Sequence, residues 1–121
     1  MMSYMDGFVV PVPRGNRQAY KEMAAMAAPI FLEHGATRVV ECWGDDIKEG
    51  KINDFRTCVI AEEGEQVVFS WIEWPSKAVR DAGVEKVMAD ERMKPKEGQA
   101  MPFSGARMVY GGFAVLLDER A

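Results

Sequence analysis

Apolar and polar positions alternate along this chain with two different periods. VVECWG at 39–44 and VVFSWIEW at 67–74 read as strands, with Val39, Glu41 and Trp43 on one face of the first and Phe69, Trp71 and Glu73 on one face of the second. The opposite faces are also largely apolar, carrying Val40 and Cys42 in one run and Val68 and Ile72 in the other. Sheet surface that is apolar on both sides has to be covered twice. A carboxylate set into such surface is costly unless it is paired or used. From Arg17 to His34 the period becomes helical, because Tyr20, Met23, Ala27, Ile30 and Phe31 fall on one face.

These periods predict an order of elements. Residues 4–12 form an extended run ended by Pro11 and Pro13, and RGN at 14–16 is a turn with Asn16 as candidate N-cap. The first helix follows, kinked at Pro29 and closed by Gly35 as its C′ residue. Residues 37–44 are the second strand and 45–54 a polar loop. FRTCVIA at 55–61, a turn at 62–65 and the run 66–74 read as a hairpin. Ser76 caps a second helix from Lys77 to Ala89, whose weak point is Gly83. Residues 90–105 are a long surface loop, and MVYGGFAVLLD at 108–118 is the last strand.

The order is that of an α+β ferredoxin-like βαββαβ sandwich with an extra hairpin strand, in a single domain over residues 1–121. Helices in that fold cover one face of the sheet only. Phe8 and Val9, Val109 and Tyr110, and Val115 and Leu116 point opposite ways, so the other face is apolar too. The simplest cover is a second copy laid sheet against sheet, which predicts a homodimer.

Composition narrows the partners. With 121 residues, 48% hydrophobic and 28% charged, the chain reads as an ordinary globular domain that folds without disulfide or metal. A formal net charge of −4 offers no basic field for a phosphate backbone, so nucleic acid is not expected. No apolar stretch approaches the roughly 20 residues that span a bilayer, and MMSYMDG has no signal-peptide pattern, so no membrane partner is expected. Cys42 and Cys58, both in apolar runs, are expected to be buried, unpaired thiols suited to a reducing compartment, which predicts a cytoplasmic location.

Several strings taken together, DGFVVPVP, EHGATRVVECWGDD, VVFSWIEWPSKAVRDAG and MPFSGARMVYGGF, resemble the YbaA-like bacterial family of unknown function over nearly the whole chain. Asp90-Glu91-Arg92 departs from that pattern by lacking a central proline. The resemblance implies a dimeric α/β-barrel domain, in agreement with the sheet-on-sheet expectation, and supplies no chemistry. The wider superfamily holds cofactor-free monooxygenases, lactone isomerases, haem-handling proteins and proteins without known activity, and fold alone does not choose among them.

Candidate chemistry rests on the carboxylates. Asp6, Glu41 and Glu73 lie in strands, where burial raises a carboxyl toward general acid–base range; Arg107 and Arg38 are the expected ion-pair partners. His34, the single histidine, is read as a helix C-terminal cap with a base as its second reading. One histidine without ligand spacing predicts no metal, and the absence of GxGxxG and P-loop patterns predicts no nucleotide cofactor. Trp43, Trp71, Tyr110 and Phe8 are core or interface material, or else line a pocket between sheet and helices; with Arg107, at the mouth of the last strand, they are the substrate-binding candidates. The expectation is therefore a homodimer binding a small aromatic or apolar metabolite, with a non-catalytic structural or regulatory dimer as the alternative.

Overall fold

A computed structural model describes residues 3–121; Met1 and Met2, the start of the MMSYMDG stretch considered for a leader, lie outside the described residues. Four strands, β1 (Tyr4–Pro13), β2 (Arg38–Trp43), β3 (Glu65–Trp74) and β4 (Val109–Ala114), form one antiparallel sheet in the order β2-β3-β1-β4. Two helices, α1 (Arg17–Glu33) and α2 (Lys77–Ala89), connect β1 to β2 and β3 to β4. This is the ferredoxin-like α+β arrangement, with two central strands and two edge strands set by the crossovers.

Register assigns the faces. Glu41 stands opposite Ser70 and Val39 opposite Ile72, while Asp6 stands opposite Ile72 and Gly112. On that side Val10, Val12 and Val68 pack against Tyr20 of α1, and Ile72 and Trp74 form a second cluster with Ala36. This is the helix-covered face. Gly83 permits the tight layer here, since a Cβ on it would stand 2.5 Å from both the His34 carbonyl and the Trp74 ring. The glycine that weakens α2 by propensity is therefore required by packing.

Local chemistry sets the helix ends. Ser76 accepts the Val79 N–H at 3.2 Å, and Gly35 takes φ +111° so that its amide and that of Ala36 close on Leu32 and Phe31. Asn16 does not cap with its side chain; its amide donates to the Pro102 carbonyl at 3.1 Å instead. α1 runs on through Pro29.

The extra hairpin strand expected at 55–61 is not in the sheet. Asp54 accepts the amides of Arg56 and Thr57 at 2.9 and 2.8 Å, curling the chain into a 3-10 turn at Thr57–Val59 that ends with Ile60 at φ 51°. Such Asx turns compete with extended backbone. The segment folds onto the sheet, where Val59 is buried and Phe55 meets Phe69 edge-on at 5.9 Å. Cys42 is exposed and Cys58 intermediate, correcting the expected burial: β2 is an edge strand, and Cys58 sits in this turn. β4 also stops at Ala114, leaving 115–118 outside the sheet.

What remains bare on the open face is three rows deep. Arg38, Glu73, Met5 and Phe113 form the first row, Val40, Trp71, Gly7 and Gly111 the second, and Cys42, Phe69, Val9 and Val109 the third. The Phe113 ring lies against the side-chain positions that Gly7 and Gly111 leave vacant.

Candidate functional site

The sequence-predicted residues divide between the two faces. Glu41, Asp6, Trp43, Phe8 and Tyr110 belong to the helix side; Trp71 and Glu73 belong to the open side. Trp43 and Tyr110 share a side but stand on opposite edge strands, about 14 Å apart across the sheet. One pocket lined by Trp43, Trp71 and Tyr110 and served by Glu41, Glu73 and Asp6 together is therefore not what the chain builds.

Asp6 is enclosed in a structural knot. Its carboxylate accepts the Trp74 indole N–H at 2.9 Å and the Arg80 guanidinium at 2.8 and 3.0 Å. Arg80 also lies over the Tyr4 ring at 5.0 Å, and Asp6 foremost among its partners makes it hold its proton more tightly. Gly112 leaves room for the Arg80 and Tyr4 side chains. Arg80, 74 residues from Asp6, is not among the expected partners.

Glu41 is different. The Tyr20 hydroxyl donates to its Oε1 at 2.6 Å, and Ser70, itself buried, is a second bonding neighbour. The residue keeps an exposed flank at the sheet edge while its carboxylate turns inward among side chains. That crowding pushes its pKa above the usual carboxylate range, against the opposing hydrogen bonds from Tyr20 and Ser70. Burial, followed by the bond to Glu41, drives the Tyr20 phenol upward as well. Phe103 meets the Tyr20 ring edge-on at 5.8 Å, Met108 packs on the same cluster, and Arg17 lies over Trp43 at 5.3 Å. The Tyr20–Glu41 pair thus stands beside apolar side chains with one edge open. Tyr20 was legible only as a core position of α1.

The other predicted groups are engaged elsewhere. Arg107 grips Glu65 through two bonds of 2.6 and 2.7 Å and the Ile60 carbonyl at 2.8 Å, which holds the buried Glu65 carboxyl below its usual range. It therefore pairs with none of Asp6, Glu41 and Glu73. Glu73 accepts the Trp71 indole N–H at 2.9 Å and faces Arg38 at 3.5 Å, the one expected pairing that forms. His34 caps α1 and meets Asp90 at 3.4 Å, about 20 Å along the helix from Tyr20. Ligand atoms of Glu33, His34 and Asp90 lie within 4.8 Å of one another, but Arg92 bonds Glu33 at 2.5 Å and Asp90 at 2.8 Å, so a guanidinium already supplies the cation.

The open face borders a groove of about 1410 Å³ lined by the whole first row, by Trp71, Gly7 and Gly111 of the second, by Phe69, Val9 and Val109 of the third and by residues 115–120. Phe8 and Tyr110 border it too, so of the predicted site residues it brings Trp71, Glu73, Phe8 and Tyr110 together. No helix among the described residues is long and apolar enough to cross a membrane.

A family described as "Protein of unknown function (DUF1428)" matches residues 3–105. The chain belongs to the DUF1428 family. It is 60% identical over 118 residues to the "Uncharacterized protein YbaA" of Escherichia coli strain K12, covering 98% of this chain and 100% of that one, and equally so to the Shigella flexneri protein of the same description. Among solved structures it resembles one described as "Putative Antibiotic Biosythesis Monooxygenase" from Bacillus cereus, with a TM-score of 0.56, 12% identity and coverage of 100% and 98%. It also resembles NE2512, of unknown function, from Nitrosomonas europaea, with a TM-score of 0.53, 12% identity and coverage of 100% and 96%. At such identity these structures support the DUF1428 fold as ferredoxin-like and say nothing of its chemistry.

Proposed function

We propose that this DUF1428 protein is a cytoplasmic homodimer that binds a small aromatic or apolar molecule at the Glu41 edge of the sheet–helix layer and moves a proton on it. The observation that carries the ligand reading is the 2.6 Å bond between Tyr20 and Glu41 beside Trp43, Phe103 and Met108. A carboxyl raised above its ordinary range is a stronger base than an ordinary one, and an indole held under Arg17 offers a stacking surface. The homodimer rests on the bare aromatic face, where Phe69 and Phe113 are 47% and 62% exposed. The cytoplasmic location rests on the free thiols Cys42 and Cys58.

The second reading, a non-catalytic structural or regulatory dimer, is favoured by a specific observation: Asp6, Glu65 and Glu73 each face an arginine. A metabolite screen by tryptophan fluorescence and thermal shift separates the two. The ligand reading expects a saturable binder whose fluorescence response is lost in Trp43→Phe and whose affinity falls in Tyr20→Phe, which removes the hydroxyl that positions the Glu41 carboxylate. A broad library that produces no saturable shift leaves the structural dimer as the reading.

A further inference from the structure

The strands leave the dimer face too small for the task that the homodimer reading gives it. Four strands about 4.8 Å apart and three alternate rows deep offer a patch of roughly 19 by 18 Å, about 350 Å². The rest of that side is taken by the 45–61 segment through Phe55 and Val59. A stable pair of proteins buries about 800 Å² of accessible surface on each partner. A footprint of this size supplies part of that, and further surface beside it would complete it.

Further apolar surface follows β4. The Val115 amide bonds the Ser3 carbonyl at 3.2 Å, one step past the β1–β4 register, which holds the chain beside the first row of the open face. Beyond that bond Leu116 is 96% and Leu117 75% exposed, and both border the same groove as Trp71 and Phe113. Two adjacent leucines held outside the sheet are the form of a segment that makes its contacts on another molecule. The seven residues 115–121 reach about 23 Å when extended, enough to cross the whole face.

Charge fits the same occupant. Asp118 and Glu119 follow the leucines; Asp118 meets Arg120 of its own segment at 3.4 Å, which leaves Glu119 as the acid for Arg38, whose side chain is 63% exposed and faces the groove with only a long 3.5 Å pairing to Glu73. In a two-fold pair each arm meets the other's face, so one contact is made twice.

We infer that residues 115–121 form an arm that clasps a second copy of this chain, Leu116 and Leu117 lying on the partner's open sheet face. This inference rests on the homodimer reading.

The test is a dilution series by analytical ultracentrifugation on three proteins: the full chain, a chain ending at Ala114, and the double variant Leu116→Ser with Leu117→Ser. The full chain is expected to be a dimer at micromolar concentration. Both altered chains are expected to bind themselves at least about 100-fold more weakly, the loss of two buried leucines on each side, with their far-UV spectra unchanged. Should truncation impair folding, the double-serine variant still reads the arm. A full chain that stays monomeric near 100 µM sinks the homodimer reading and the arm with it. A dimeric full chain whose double-serine variant dissociates within about threefold of it sinks the arm alone, and a lower melting temperature in that same variant would place the leucines on their own sheet.

Discussion

The two faces of this sheet are written with similar residue types and finished in opposite ways. On the helix side Trp74 is 1% exposed and its indole nitrogen is bonded to Asp6, which is in turn gripped by Arg80. On the open side Trp71 makes the parallel bond to Glu73, but the carboxylate meets Arg38 at only 3.5 Å and the neighbouring Phe113 is 62% exposed. The same tryptophan–carboxylate–arginine grouping is thus sealed in one place and loose in the other. The difference lies in what covers each, since two helices close the first and, among the described residues, one loop at its far end is all that closes over the second.

Breaking the sealed grouping gives the largest expected effect. Asp6→Ala leaves the Trp74 N–H without its acceptor in a buried layer and Arg80 with Asp81 alone, at 2.8 Å. Loss of one member of a buried pair costs about 3–5 kcal/mol. Urea denaturation at pH 7 should show a midpoint lowered accordingly with the slope retained. A loss under about 1 kcal/mol would mean that the two faces do not differ in the way their burial implies.

The open face sharpens the contrast from the other direction. Phe113→Ser removes an exposed ring and should change unfolding of the isolated chain by no more than about 0.5 kcal/mol. Its effect belongs to association, where a ring at the centre of a desolvated patch is worth about 2 kcal/mol, or roughly 30-fold in dissociation constant. A denaturation series at nanomolar and at high micromolar concentration separates the two. Equal losses at both would assign Phe113 to the core of its own chain.

How much of this was legible in the sequence follows from the same geometry. The elements were, because period, caps and breakers are local: the Tyr20-to-Phe31 stripe, Gly35 and Ser76 all act within a few residues. The face assignment was not. Glu41 pairs with Ser70, so odd positions of β2 share a side with even positions of β3, and Glu41 and Glu73 look away from each other. A slip of one residue would have brought them to one side, and nothing local to either strand fixes that parity. The partners were hidden for a related reason. Arg80 reaches Asp6 from 74 residues away and Arg107 reaches Glu65 from 42, distances at which residue type suggests a pair but does not select one. The segment at 55–61 misled because FRTCVI has the composition of a strand, while Asp54 supplies acceptors that turn it.

The smallest expected effect falls at Glu41 and shows that the helix side is not uniformly sealed. Glu41→Gln keeps an oxygen for the Tyr20 hydroxyl and removes a charge held against its surroundings. A carboxyl whose folded pKa is raised binds its proton more tightly in the native state than in the unfolded chain. Stability is therefore lost as pH rises from about 4.3, the unfolded value, through the folded one. Glu65 has the opposite sign, since Arg107 depresses its folded pKa and its contribution, present above about 4.3, is lost as pH falls through the folded value. Both proteins carry Glu65, so the difference between their stability curves isolates Glu41. At pH 7 the variant should gain no more than about 0.5 kcal/mol, with the two curves converging below about pH 4. Melts across pH 3–8 test this. A variant less stable than the parent at neutral pH would show that the carboxylate's charge supports the fold there, and would move Glu41 from the ligand reading to the structural one.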